Sequence, residues 1–228
     1  MEEIKRKGFD PTEQCSDETL LYQAVSGLHA SVNIHISHNY HDSETDQTYP
    51  NHTMYLEKIG AHRDRLRNLH MVYALVVRAI NRIDEQLVEH DYTTGLCSVK
   101  DAETHVHVRE LLSKTIAQCD TSFNETAFFH DNDDSSNNLL NEIQNKFFNI
   151  SRIFDCIGCD KCRFNGKVQI TGLGTAMKVL FSSDQEINAN PLTKTEIISI
   201  INLLGKLSES IAIYEEFLIM EQNQKFNS

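Results

Sequence analysis

The segment Cys156-Ile-Gly-Cys159-Asp-Lys-Cys162 is the chemical centre of the sequence. Its two overlapping C-x-x-C units let a thiolate on either side attack a disulfide with little backbone movement. Lys161 and Arg163 lie beside them, and positive charge lowers a thiol pKa and raises the fraction of reactive thiolate. Three readings of the spacing compete. A structural zinc normally takes four nitrogen or sulfur ligands, and no second C-x-x-C or nearby histidine pair completes that set. A bacterial-type iron–sulfur run would continue with a fourth cysteine before proline, whereas Arg163-Phe-Asn-Gly follows here. Structural pairing is the third option, although cysteines three apart on a regular helix bridge only where the chain bends. Spacing alone favours redox chemistry and leaves metal binding and structural pairing open.

Elements that could position these thiols are read from apolar spacing. Leu140, Ile143, Phe147, Ile150 and Phe154 form a helical stripe that ends directly before Cys156. Leu173, Ala176, Met177, Leu180 and Phe181 predict a helix over about 172–182. The strongest periodicity is Leu66, Leu69, Tyr73, Val76, Ile80, Ile83 and Leu87, one stripe on a helix of about six turns suited to bundle packing. Leu20, Leu21, Ala24, Val25 and Leu28 mark another helix, with Ser16 or Asp17 as N-cap and a helical continuation through Val32, Ile34 and Ile36. Val108, Leu111, Leu112 and Ile116 mark a shorter one. Thr193-x-x-Glu196 is a capping box that opens a final helix through Ile197, Ile201, Leu204, Ile211, Tyr214 and Leu218. Residues 41–62 are polar, contain Pro50 and read as a loop, as do residues 131–138.

Composition agrees with a helical fold. Among 228 residues there are only 9 Gly and 3 Pro, sparse punctuation for a turn-rich β protein. The expected architecture is all-α, a single-domain helical bundle. With 40% hydrophobic and 24% charged residues the chain is neither a disordered tail nor a membrane protein, and no segment reads as the roughly 20 consecutive apolar residues that span a bilayer. A net charge of −12 repels phosphate backbones and argues against nucleic acid as a partner. Two weaker patterns carry little. Asp131-x-Asp133-x-Ser135 with Glu142 imitates a calcium loop, but Ser136 stands where the sharp turn needs glycine. His35, His38 and His41 recur every three residues near a helix end, without a carboxylate to orient them, and read as surface. No metal site is expected.

The stretch from Asn149 to Phe181, with Cys156, Cys159 and Cys162 at its centre, resembles the active-site region of the endoplasmic reticulum oxidoreductins. Two further blocks match the same family in order: Cys15 through Ser26-Gly-Leu-His29 to Ser37, and Arg65-Leu-Arg-Asn-Leu through Arg78-Ala79. The resemblance runs over about residues 15–220. It implies a flavin-dependent thiol oxidase of the endoplasmic reticulum lumen that supplies disulfides to protein disulfide isomerase. Electrons would pass to molecular oxygen with release of hydrogen peroxide, and peripheral association with the membrane is an option. Carried over by position, it implies Cys159 and Cys162 as the redox-active pair. Ser26, His29, Arg65 and Arg78 would contact an FAD held between helices. Cys156 matches a cysteine that in the family bonds to a distant N-terminal cysteine.

Helical register supports part of that assignment. Ser26 and His29 lie three apart, so both can reach one ligand from one face. Arg65 and Arg78 are separated by about 20 Å of helix, too far to share a compact phosphate but within the length of a dinucleotide. The chain departs from the family in having no Trp, where members stack one on the adenine, and no C-x-x-C before Cys156 to act as a shuttle. These departures and the missing secretory leader lead us to expect a fragment: residues 1–228 as the C-terminal, flavin-binding part of such a domain, its N-terminal shuttle portion absent. The alternative is a catalytically impaired chain that partners protein disulfide isomerase without enzymatic activity.

Overall fold

The computed structural model describes residues 16–89 and 145–226, with positions 110 and 114. Four long helices dominate it: α1 (Ser16–His38), α3 (Arg63–Glu89), α4 (Asp160–Phe181) and α6 (Lys194–Phe226). Packing runs α1 on α3, α3 on α4, α4 on α6 and α6 back on α1, with α3 also touching α6 across the middle. The result is a closed helical bundle, as the sequence led us to expect. The helix expected over Val108–Ile116 and the acidic loop at 131–138 lie outside the described residues, apart from the two helical positions 110 and 114.

α3 is the central member, and its burial shows it. Leu69, Val76, Ile80 and Ile83 of the expected stripe are fully buried, while Leu66 and Tyr73 are only partly so. Val72, Leu75, Val77 and Ala79 are buried as well. A helix packed against three neighbours buries a wider arc than one stripe.

Two glycines set the interhelical spacing. A Cβ at Gly27 of α1 would lie 2.4 Å from the Asn68 carbonyl oxygen of α3, and one at Gly172 of α4 would lie 2.5 Å from the Ser199 carbonyl oxygen of α6. Backbone cannot yield as a side-chain tip does. Gly27→Ala and Gly172→Ala should each cost about 1–3 kcal/mol by overpacking. Gly158, with nothing within 4 Å of an added Cβ, should accept alanine within about 0.5 kcal/mol. Chemical denaturation of the three variants checks the contrast.

The polar segment 41–62 is not the loop its composition suggests. Tyr40–Asp42 (β1) and Gln47–Tyr49 (β2) pair as an antiparallel hairpin. Asp42 accepts hydrogen bonds from the Glu44 N–H and the Thr45 hydroxyl at 2.9 Å each, while the Tyr40 and Tyr49 rings meet edge-on at 5.7 Å. A short helix α2 (His52–Tyr55) follows, its N-cap Asn51 accepting from the Met54 N–H at 2.9 Å, and a π-turn over Leu56–Gly60 leads into α3. Local side-chain-to-backbone bonds build this segment, and hydrophobic periodicity does not see them.

α6 also departs from expectation. By length and composition it could cross a membrane, because its charges are spread out and no uninterrupted apolar run is needed to reach that average. In the structure nearly half of that stretch is buried, including Ile200, Leu203, Leu207 and Phe217 at 0% exposure. The expected capping box is present: the Thr193 N–H and hydroxyl donate to the Glu196 carboxylate, and the Glu196 N–H donates to the Thr193 hydroxyl. Ser183 and Glu186 form a second one at the start of α5 (Asp184–Ala189).

Candidate functional site

Helical residues 145–153 run into a 3-10 turn, Phe154–Cys156, and the chain then bends at Gly158 before α4 begins. Cys159 is the N-cap of α4, with extended backbone (φ −88°, ψ 108°), and Cys162 lies in the first turn. The helix therefore starts within the cysteine motif, a full three turns earlier than the stripe at 172–182 suggests. Leaving the helix at Cys159 is what lets cysteines three apart bridge. Cys159 and Cys162 form a disulfide across a Cα–Cα distance of 5.2 Å, and the Cys162 N–H points at the Cys159 sulfur at 3.2 Å. Both residues are exposed, and so is Cys156, which forms no disulfide among the described residues.

Charge around this tip is largely paired. Asp160 binds Arg163, and Asp155 binds Lys167, whose ammonium holds the Asp155 carboxyl below the usual carboxylate range. Lys161 and Cys162 stand in the first turn of α4, where the helix dipole favours negative charge. A thiolate released at this end is thereby stabilised.

A second group forms where α1 crosses the start of α3. Ser26 is half-buried, and its hydroxyl accepts from the Asn68 side-chain amide at 3.1 Å. One helical turn along, His29 lies near Arg65 and Lys58, while the Arg65 guanidinium is anchored on the Lys58 carbonyl oxygen. Partial burial of the imidazole, then the two cations, lowers the His29 pKa below its ordinary value. The folded chain thus prefers neutral His29, and the stability linked to this group is lost as pH falls below about 6.5 toward the lowered value. An NMR titration of His29 should give a midpoint below 6.5, and Arg65→Gln should move it upward. An unmoved midpoint would mean that Arg65 does not face the ring.

Of the four residues expected to contact a cofactor, Ser26, His29 and Arg65 come together. Arg78, half-buried on the same regular helix, lies about 20 Å along it. The sequence reading missed two members of the group. Asn68 is 5% exposed and shares the face of Arg65 one turn on, a buried polar residue beside an apolar stripe. Lys58 had no sequence signal, because the π-turn alone brings it to His29 and Arg65. The cysteines are linked to this group through α3, which packs on α1 and on α4.

Other expectations change. Gly172 admits α6, and an added Cβ at Gly174 would make only ordinary contact with Phe147. His35 and His38 face α6 instead of solvent, pairing with Glu209 (3.8 Å) and Glu216 (3.2 Å), while His41 pairs with Asp46 at 3.6 Å.

A helical bundle carrying a solvent-accessible dithiol–disulfide pair at a helix start defines a class of thiol-exchange proteins. Within that class, the description Endoplasmic Reticulum Oxidoreductin 1 (ERO1) matches residues 1–214, and the chain belongs to the ERO1 family. It is 37% identical to endoplasmic reticulum oxidoreductin-2 of Arabidopsis thaliana, covering 86% of this chain and 42% of the relative. It is 35% identical to ERO1-like protein alpha of Mus musculus, covering 92% and 49%. The solved structure of Ero1p, described as a source of disulfide bonds for oxidative protein folding, superposes with a TM-score of 0.79 at 31% identity, covering 93% of this chain and 56% of that one. The chain spans less than half the length of these curated relatives.

Proposed function

We propose that this chain is the flavin-binding, disulfide-carrying part of a thiol oxidase that works in the endoplasmic reticulum lumen and oxidises protein disulfide isomerase. The observation that carries the reading is the exposed Cys159–Cys162 disulfide at the start of α4 in a chain of this family. A thiolate of the isomerase would attack one sulfur of the pair, forming a mixed disulfide and expelling the other sulfur as a thiolate. The isomerase's second thiol would then displace the mixed disulfide. It leaves oxidised, and Cys159 and Cys162 are left as a dithiol. The first turn of α4 favours the expelled thiolate, so Cys162 leaves readily.

The donor set at the α1–α3 crossing suits an FAD. A hydroxyl, an imidazole and a guanidinium lie at this crossing, with the Lys58 charge acting on the imidazole, a combination suited to pyrophosphate oxygens. Ser26, His29 and Arg65 would hold the dinucleotide at that end and Arg78 at a second point along α3. Bound FAD supplies two-electron transfer from a dithiol to molecular oxygen, giving hydrogen peroxide. The bundle's part is to bind and orient, and Arg65, fixed on the Lys58 carbonyl, is pre-positioned for it.

The test is flavin binding by the purified chain. It should retain or take up FAD, seen as visible flavin absorbance that co-elutes with the protein. Arg65→Ala should weaken FAD binding by on the order of 10-fold or more, the loss of one charged hydrogen-bonding partner. Equal affinity in the variant would remove Arg65 from the site.

A further inference from the structure

We infer that Asn68 is a positioning residue of the proposed flavin site: its amide fixes the direction of the Ser26 hydroxyl and makes that hydroxyl a donor toward the dinucleotide. The inference rests on the flavin reading above and deepens it. Asn68 is 5% exposed, and its side-chain amide donates to the Ser26 hydroxyl at 3.1 Å. An asparagine buried beside an apolar stripe costs stability unless its polar atoms are bonded, and the bond to Ser26 meets that need. Close backbone approach makes the bond possible. An added Cβ at Gly27, the residue after Ser26, would lie 2.4 Å from the Asn68 carbonyl oxygen and 2.7 Å from a Val72 methyl. With α1 and α3 so near, a side chain as short as asparagine spans the gap.

A hydroxyl has one proton and two lone pairs. The Asn68 N–H occupies a lone pair of the Ser26 oxygen, so the Ser26 proton points away from Asn68. Asn68 stands three residues after Arg65, and Ser26 three residues before His29, so each helix presents both of its residues on one face. The Arg65 charge acts on His29 across the same crossing. A dinucleotide lying there offers pyrophosphate oxygens, which accept hydrogen bonds and never donate them. The directed O–H of Ser26 suits those oxygens. A freely turning hydroxyl would spend part of its time with a lone pair facing them, and two acceptors repel. Asn68 acts through Ser26 and not by its own contact with the ligand.

FAD titrated into the full chain, followed by the change in flavin fluorescence, tests this in a double-mutant cycle. Asn68→Ala should weaken FAD binding by about 3- to 10-fold, the worth of one hydrogen bond. In a Ser26→Ala background the same change should alter affinity by less than about 2-fold, because the group it acts through is gone. Asn68→Asp keeps the shape of asparagine but puts an acceptor where the donor was. Ser26 then turns its proton inward, and affinity near neutral pH should fall by about 10-fold or more. It should recover toward the parent as the pH falls to about 5, where a protonated carboxyl donates again. Melting curves separate these effects from lost fold. Parental affinity in Asn68→Ala, or an equal loss with and without the Ser26 hydroxyl, overturns the inference and leaves the flavin reading standing. So does an Asn68→Asp pH profile parallel to that of the parent. A parent chain that takes up no FAD overturns the flavin reading and this inference with it.

Discussion

Flavin-loaded protein carrying Cys162→Ala should no longer be bleached by dithiol in the absence of oxygen, and its thiol oxidation should fall by on the order of 10³ or more. The reasoning is stoichiometric. Withdrawing two electrons from a dithiol needs two sulfurs that can close on each other, and Cys159 alone forms only a mixed disulfide that nothing within the pair resolves. Because Cys162 is exposed in the first turn of α4, the change leaves the core untouched. Losing so short a covalent loop costs at most about 2 kcal/mol in the chain-entropy description. A melting curve close to that of the parent therefore separates lost chemistry from lost fold. Bleaching at the parental rate would remove Cys162 from the reaction.

Phe217→Ala should be the most damaging single core change, costing about 3–5 kcal/mol. The ring is fully buried on α6 and stacks on Tyr55 with centroids 4.2 Å apart and planes 6° from parallel. His52 lies over it at 6.2 Å and His38 meets its edge at 6.4 Å. One side chain thus joins α1, the short α2 and α6, and truncating it leaves a cavity where three elements meet. For a chain of this length the loss should lower the melting temperature by roughly 10 °C or more. Phe217→Leu, which refills most of the volume, should lose clearly less. Equal melting of the alanine variant and the parent would show that this aromatic cluster does not hold the segment after α1 in place.

The sequence disclosed most where one face is buried and little where both or neither are. α3 was legible because its apolar residues recur at a strict spacing, and the structure only widened the buried arc to include Val72, Leu75, Val77 and Ala79. α6 was legible as a helix but only partly in phase. Apolar residues surround it, so the sequence reading selected Ile197 and Leu204, which are buried, together with Ile201, Ile211, Tyr214 and Leu218, which are only partly so. Ile200, Leu203, Leu207 and Phe217 fill the core beside them. The first half of α4 was invisible for the opposite reason, since its exposed turns carry no stripe. At the site, the disulfide pair and the Ser26–His29 register could be read from spacing and from family likeness. Lys58 and Asn68 could not, because tertiary contact alone brings them to His29 and Ser26.

α4 is unevenly held. From Ile170 onward it is sunk in the core, and at its far end Arg82 grips the Val179 and Leu180 carbonyl oxygens and the Asp184 carboxylate. No residue among its first ten is buried. The sulfurs thus sit at the exposed end of a helix about 33 Å long whose other end is anchored in the core. Reactivity and packing are thereby divided between the two ends of one rod: the disulfide stands where no side chain is buried, and along the helix burial begins only at Ile170.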